Sequence, residues 1–151
     1  VYDGKVKTPT VTVTSADGKT IDSANYDISY ANDRKDAGTY DVKVTFKGNY
    51  TGSLTTKFTI AKANQSLKIK SPKKKMKVGA KAKIKIKAKK GHGKVTYKVS
   101  NKKIAKIKKG KLVALKKGKV KLTVTLKATK NYNQKKVTIT IKVSISVSNF
   151  F

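Results

Sequence analysis

The feature that most constrains this chain is a strict alternation of lysine with apolar residues in its second half. In residues 81–89 a lysine stands at every odd position, and an alanine or isoleucine stands at every even position. Successive side chains of a β-strand point to opposite faces, so a period of two predicts strands with one buried face. An α-helix would need apolar residues three and four positions apart, and that spacing is absent here. We therefore expect an antiparallel sheet whose solvent-facing positions are filled by lysine.

The same alternation continues almost to the end of the chain. Apolar residues at every second position predict three further strands, at 95–99, 120–126 and 137–143. Glycine-containing turns such as Gly91-His92-Gly93 separate these segments. A disordered basic tail would lack the β-branched residues from which a core is built. The lysine-rich half is therefore predicted to be a folded β domain.

The first half shows the same period of two with a more ordinary surface. Its alternating apolar residues fall at 11–13, 26–30, 40–46 and 54–60. Turn residues at 16–19 and a polar stretch at 31–38 separate these segments. Short strands with turn signals at such regular spacing are typical of a β-sandwich.

A sharp step in charge divides the chain. The formal net charge is +31, and all seven acidic residues lie in the first 62 positions, together with nine of the 38 basic residues. Residues 63–151 carry the other 29 basic residues, all lysine, and no acid. Such a step predicts a domain boundary near 61–66. We therefore expect two modules, at 1–62 and 63–143, with 61–66 as a short linker and 144–151 as a strand-like tail or the start of a next module.

The tail continues the alternation of the strand before it. An unbroken strand over 136–148 would be about 40 Å long, at roughly 3.3 Å per residue, which exceeds a small sandwich. One interpretation is a linker followed by the first strand of a further module. The other is a strand that pairs with the sheet edge of a neighbouring molecule. Its assembly residues would be Ile145, Val147, Phe150 and Phe151.

Composition argues against an enzyme. The chain has no cysteine and a single histidine, His92, which lies between two glycines and has no acidic partner in its own module. A loop with Asn32, Asp33 and Asp36 could supply calcium ligands, but basic residues interleave it and a solvated loop is the favoured interpretation. We therefore predict no catalytic residue, no metal and no cofactor. No apolar run is long enough to cross a membrane as a helix, and we expect a mature or excised part of a longer protein because the chain opens at Val1.

Charge is the remaining candidate for function. About 29 lysines on a module of roughly 80 residues create a strong positive potential that suits phosphate and carboxylate polymers. Sequence-specific nucleic-acid recognition is disfavoured because residues 63–151 contain no arginine. Tyr97, in phase with Val95 and Val99, is predicted to be in the core, so no stacking platform is expected. The candidate polyanion-binding residues are Lys81, Lys83, Lys85, Lys87, Lys89, Lys94, Lys98, Lys102, Lys103, Lys106, Lys108 and Lys109. The first five are expected to form one stripe.

Two regions of the chain also resemble known bacterial families. "YDGKVKTPTVTV" and "NYDISYANDRKDAGTYDVKVTFKGNYTGSLTTKFTI" resemble the repeat modules of large surface proteins of gut Firmicutes. Residues 95–128, "VTYKVSNKKIAKIKKGKLVALKKGKVKLTVTLKA", are similar to group 2 bacterial Ig-like domains of the invasin and intimin type, with lysine where that family usually has Asp, Ser or Thr. The resemblance implies an all-β chain of two tandem antiparallel Ig-like β-sandwich modules. It also implies an extracellular location on a bacterial cell surface.

These observations predict a non-enzymatic stalk or adhesive segment of a bacterial cell-surface protein. Its lysine-rich module would bind anionic polymers such as teichoic acid, lipopolysaccharide, glycosaminoglycan or extracellular DNA. One alternative is a structural subunit of an extracellular fibre, assembled with neighbouring copies through the C-terminal strand. Another is an accessory domain of a secreted enzyme. A nonspecific DNA-binding protein is disfavoured.

Overall fold

The computed structural model describes residues 1–89 and 91–145. The chain divides into two compact units, Val1–Ala63 (unit 1) and Asn64–Phe151 (unit 2). The division falls one residue after the boundary that the charge step predicts. In the described residues both units are all-β, and the single helical element is a 3₁₀ turn at Ser23–Asn25.

Unit 1 is built on one three-stranded antiparallel sheet in the order β1-β2-β3. The central strand β2 pairs with β1 through Tyr26 opposite Phe46 and with β3 through Gly38 opposite Ile60. These strands confirm the prediction that was based on the alternating apolar residues at 26–30, 40–46 and 54–60. Their bounds are β1 Tyr26–Tyr30, β2 Gly38–Phe46 and β3 Ser53–Ile60.

The strand predicted around residues 11–13 does not form, so unit 1 has one sheet where the sequence predicted a sandwich. Only an isolated antiparallel bridge joins Thr14 to Thr20 in this segment. Val13 is nevertheless buried, in a small cluster with Ile21 and Val44. The segment packs its apolar side chains without joining a ladder, although the Val13 carbonyl accepts a hydrogen bond from the Ile21 N–H over 2.8 Å. Just before this segment, the Pro9 carbonyl accepts a hydrogen bond from the Tyr30 hydroxyl over 2.6 Å.

Arg34, the only arginine, fastens the N-terminal segment to the 31–38 loop. Its Nε donates to the carbonyl of Lys7 over 2.7 Å, and its Nη1 donates to the carbonyl of Ala31 over 3.0 Å. The guanidinium also lies 4.9 Å from the centre of the Tyr30 ring, a cation–π distance. The sequence predicted a solvated loop around Arg34. In the structure, Arg34 instead makes contacts that hold this loop against the N-terminal segment.

The described part of unit 2 contains three sheets. A four-stranded sheet has the order β5-β12-β11-β8, a three-stranded sheet has the order β6-β10-β9, and β4 pairs with β7 alone. Among these described pairs, β5 with β12 is parallel and the others are antiparallel. The strands are β4 Leu67–Ser71, β5 Lys75–Lys77, β6 Lys81–Lys83, β7 Lys85–Ala88, β8 Val95–Val99, β9 Ala105–Lys108, β10 Lys111–Ala114, β11 Gly118–Leu126 and β12 Lys135–Ser144.

The lysine stretch that reads as one strand is divided between two sheets. Residues 81–83 form β6 in the three-stranded sheet, and residues 85–88 form β7 beside β4. The change occurs at Ile84, whose side chain is buried and whose N–H donates to the carbonyl of Gly110 over 3.0 Å. A strand that passes from one sheet to another in this way bends where a buried side chain anchors it. The single stripe predicted for 81–89 is therefore corrected to two shorter rows.

The core of unit 2 lies between its two larger sheets. Leu112 of β10 and Leu122 of β11 are both fully buried and belong to one apolar cluster. Burying each side chain of this kind stabilises the fold by about 1.5–3 kcal/mol. Buried members of the cluster are Met76, Ile84, Val99, Ala105, Leu112, Ala114, Val120, Leu122, Val124, Ile141 and Val143. The Ig-like arrangement of these sheets stays a prediction.

Gln65 is a buried polar residue at the start of unit 2, in a segment that the sequence assigned to a linker. Its Nε2 donates to the carbonyls of Lys127 over 2.9 Å and Asn133 over 2.8 Å. Its Oε1 accepts from the N–H of Gly93 over 3.2 Å. A Cβ on Gly93 would lie 2.1 Å from the Lys127 carbonyl oxygen, so this close approach requires glycine. The second half of the predicted linker, residues 64–66, is therefore part of unit 2.

The last strand ends at Ser144, and Ile145 is exposed beyond it. Val147, Phe150 and Phe151 lie outside the described residues. Assembly through this tail stays a prediction.

Candidate polyanion-binding surface

Every described lysine of unit 2 is exposed to solvent. The unit has no acidic side chain, so none of these lysines has a carboxylate side chain of its own unit to pair with. Unit 1 differs, because four of its lysines lie within 4.0 Å of an aspartate oxygen. The question is how the unbalanced charges of unit 2 are arranged.

Strand register places lysines side by side on the three-stranded sheet. Lys111 of β10 is directly opposite Lys83 of β6 on one side and Lys108 of β9 on the other. Two residues along, Val113 is flanked by Lys81 and Lys106. The intervening row, centred on the fully buried Leu112, faces the core. We call the outward set the lysine grid, which comprises Lys81, Lys83, Lys106, Lys108 and Lys111 around Val113.

The dimensions of the grid follow from sheet geometry. Neighbouring strands lie about 4.8 Å apart, and alternate residues of one strand lie about 6.7 Å apart. Lys109, in the turn after β9, adds a further ammonium group, and its φ of 50° is a left-handed turn conformation. Together with Lys81, Lys108, Lys111 and Val113 it lines a shallow cavity of about 270 Å³. The grid is thus a compact cationic surface with one apolar side chain at its centre.

A second lysine row crosses the four-stranded sheet. Lys142 of β12 is opposite Lys119 of β11 and beside Lys75 of the parallel strand β5. A single further pair, Lys68 with Lys87, joins β4 and β7. Each described sheet of unit 2 therefore places lysines directly opposite one another.

Such rows carry an energetic cost. Directly opposite side chains on neighbouring strands have their Cβ atoms about 5 Å apart, and like charges at that separation are destabilising. Lysine side chains can bend away from one another to increase the distance between their ammonium groups. Without an acid nearby, however, only solvent ions or a bound anion can neutralise the row. Strand register therefore places the lysines in particular rows, and an anion bound at such a row would reduce the repulsion between its ammonium groups.

The structure divides the predicted lysines among several surfaces. Lys81, Lys83, Lys106, Lys108 and Lys109 come together at the grid. Lys85 and Lys87 lie on β7, with Lys89 just after it. The others lie around β8 and the turn that follows it, and they are Lys94, Lys98, Lys102 and Lys103.

Sequence reasoning missed the lysine at the centre of each row. Lys111 and Lys142 have the outward phase of their strands, and that signal is visible in the sequence. Which strand lies beside which, and in what register, is not visible there. The rows exist only because non-consecutive strands such as β6 and β10 are neighbours.

The other candidate residues show no converging chemistry. His92 is exposed, and its Nδ1 lies 2.9 Å from the carbonyl oxygen of Gly93 in the turn. Within residues 1–89 and 91–145, no group of three or more His, Cys, Asp or Glu side chains is placed to hold a metal ion. The described part of the chain also contains no helix long and apolar enough to cross a membrane.

The comparisons with known proteins include a family model that matches unit 1. Residues 1–64 match the MBG domain, a β domain of bacterial surface proteins. No curated protein matches the chain. Among solved structures, the S-layer protein SbsC is similar in the crystal structure of its domains 4 and 5, with 17% sequence identity and a TM-score of 0.38, over 91% of this chain and 80% of that chain. The match over residues 1–64 supports a surface or structural module of a bacterial protein.

Proposed function

We propose that this chain is a non-enzymatic, extracellular segment of a bacterial cell-surface protein whose unit 2 binds anionic polymers through the lysine grid. The observation that carries the proposal is the row Lys83–Lys111–Lys108, three like charges in direct register with no acid in the unit. A polymer with regularly spaced phosphate, sulfate or carboxylate groups would neutralise several members at once. Lysine suits this role because its ammonium group binds anions as a point charge without demanding one geometry.

The match of residues 1–64 to the MBG domain supports the location. At a bacterial surface the available polyanions are teichoic acid, lipopolysaccharide, acidic glycosaminoglycans and extracellular DNA. Binding to any of them would release counterions, so affinity would fall steeply as salt rises. The proposed role is adhesion or anchoring, with unit 1 as an extending module.

The test is a comparison of two triple variants of the full chain with equal charge. The first is Lys83→Ser, Lys108→Ser and Lys111→Ser, which removes the row. The second is Lys73→Ser, Lys116→Ser and Lys117→Ser, which removes three exposed lysines outside the strands. Both are titrated against teichoic acid, heparin and duplex DNA at about 50 and 150 mM salt, the range in which multi-anion binding loses decades of affinity.

We expect the row variant to lose at least tenfold more affinity than the control. The slope of log affinity against log salt should flatten by about one unit for each anion-binding lysine that is removed. Equal losses in both variants would mean that net charge alone attracts the polymer. Unchanged binding in the row variant would overturn the proposal.

A further inference from the structure

Tyr97 is exposed where the sequence predicts a core residue. It has the inward phase of β8, and it is opposite Val124, which is fully buried. Its own side chain is 36% exposed. The reason is position, because β8 is the edge strand of the four-stranded sheet and the long ring extends beyond the core. Part of Tyr97 is thus accessible to solvent at the edge of unit 2.

A groove lies at this edge, between β8 and the neighbouring strand β9. Its volume is about 360 Å³, at the lower end of the roughly 300–1,000 Å³ typical of small-ligand sites. The lining residues are Tyr97, Lys98, Val99, Lys102, Lys106 and Ile107. The groove therefore combines one aromatic ring, two aliphatic side chains and three ammonium groups.

The groove continues from the lysine grid. Lys106 belongs to both, because β9 is the edge strand of the three-stranded sheet and its outward lysine reaches the groove. Within the described residues, the Tyr97 hydroxyl makes no hydrogen bond to the protein. An anionic chain that lies on the grid would pass Lys106 and reach the ring of Tyr97.

We propose that this groove is a subsite for one acidic sugar residue of an anionic polysaccharide, which narrows the class of polymer and rests on the proposed function of the grid. The axial C–H groups of a sugar ring carry partial positive charge and suit the negative face of an aromatic ring. The carboxylate or sulfate of the sugar binds the ammonium groups of Lys102 and Lys106. The Tyr97 hydroxyl remains available to the sugar hydroxyls.

The other polyanions fit less well. A polyphosphate chain has charge but no flat face for the ring. Single-stranded nucleic acid could place one base there, but nonspecific single-strand binders use several rings in succession. Among the described residues that line this groove, only Tyr97 supplies a ring.

The test uses the full chain and two substitutions at one position. Tyr97→Leu keeps apolar bulk over the core and removes the flat face, and Tyr97→Phe keeps the face and removes the hydroxyl. Binding is measured by calorimetry with a hexamer of uronic acid, a hexaphosphate chain and a single-stranded hexanucleotide. Thermal unfolding of each variant shows that it is folded, and the wild-type Tyr97 ring resonances are followed during the uronate titration.

We expect Tyr97→Leu to weaken uronate binding by about two- to tenfold, the scale of one aromatic contact, with hexaphosphate binding unchanged. Tyr97→Phe should retain most of the uronate affinity. The ring resonances of Tyr97 should shift with uronate, which tests the proposal even if Tyr97→Leu fails to fold. Unchanged uronate binding in a folded Tyr97→Leu variant, silent ring resonances, or a larger loss for the hexanucleotide would overturn the subsite. Failure of the grid itself would show separately, as unchanged binding in the Lys83, Lys108 and Lys111 variant.

Discussion

The outer faces of the sheets in units 1 and 2 both carry cross-strand threonine pairs and exposed lysines. They differ in whether acidic side chains are present. In unit 1 the Thr39 and Thr59 hydroxyls lie 3.1 Å apart across two strands, and Asp27 accepts a bond from Lys47 over 3.0 Å. In unit 2 the Thr123 and Thr138 hydroxyls lie 2.8 Å apart in the same way. Acidic side chains are present on the first surface and absent from the second. The first surface can neutralise its lysines internally, and the second can do so only from outside.

The apolar cores of the two units differ in size, and the core of unit 2 is the larger. The buried apolar residues of unit 1 are Val13, Ile21, Val42, Val44 and Ile60, whereas the described part of unit 2 has a single cluster of eleven buried residues, most of them from its two larger sheets. Charge repulsion among exposed lysines opposes folding, and apolar burial favours it. Unit 2 therefore tolerates its surface because its core is larger.

The largest expected effect comes from weakening that core. Leu122→Ala should lower the free energy of unfolding of unit 2 by about 2–5 kcal/mol, because a fully buried side chain is replaced by a cavity. The loss should leave unit 2 unfolded at low salt and partly rescued at high salt, where lysine repulsion is screened. Urea unfolding at two ionic strengths measures both effects. The matched control is Val44→Ala in unit 1, whose unfolding should show a weaker dependence on salt.

A second comparison concerns the polar residues that hold loops in each unit. Arg34 in unit 1 and Gln65 in unit 2 both donate to backbone carbonyls of distant segments. Gln65→Leu should destabilise unit 2 by roughly 1–3 kcal/mol, because the buried Gln65 amide is lost and three part-buried backbone groups lose their partner. The control is Asn64→Ala, which removes one exposed bond from Asn133 and should cost much less. Equal effects of the two changes on thermal unfolding would contradict a special role for Gln65.

These two positions show what the sequence could and could not predict. Strand positions such as 120–126 and 137–143 followed from alternation, because the period of two is set by the backbone itself. The role of Gln65 did not follow, because its partners Gly93, Lys127 and Asn133 are far away in sequence. The lysine rows could not be predicted from the sequence for the same reason, since strand order and register depend on long-range pairing.

The failed expectations have physical causes as well. Tyr97 has the correct phase for the core, but phase does not reveal that β8 is an edge strand. The stripe at 81–89 has unbroken alternation, and alternation continues unchanged when a strand passes between two sheets at Ile84. The segment around Val13 buries that side chain but makes only an isolated bridge, and a short alternation does not reveal whether a segment finds a partner strand.

A smaller effect on stability should come from placing an acid within a lysine row. Lys111→Glu puts a carboxylate between Lys83 and Lys108 and converts two repulsive pairs into attractive ones. Each cross-strand pair is worth roughly 0.2–1 kcal/mol, so thermal stability should rise modestly. Polyanion affinity should fall by more than tenfold in the same variant. The control Lys116→Glu changes the charge equally outside the strands, and a similar gain there would show that the row is not special.

The smallest expected effect concerns acid pH and separates the two units. A hydrogen bond from the Lys7 ammonium lowers the pKa of the Asp3 carboxyl, and a hydrogen bond from the Ser15 hydroxyl lowers the pKa of Asp17. A carboxyl whose pKa is lower in the folded state adds stability above the unfolded value of about 3.9 and loses it as pH falls through the folded pKa. Both groups are exposed, so the contribution is small and is further reduced by salt.

Unit 1 should therefore begin to lose stability as pH falls below about 4, the ordinary range of an aspartate. Unit 2 has no acidic side chain to titrate, so its stability should stay level over the same range. Amide hydrogen exchange of β2 and β11, measured along a pH series at constant salt and corrected for intrinsic rates, follows the two units in one sample. Earlier opening of β11 than of β2 would contradict this expectation, and the view of unit 2 as neutralised only from outside would then be wrong.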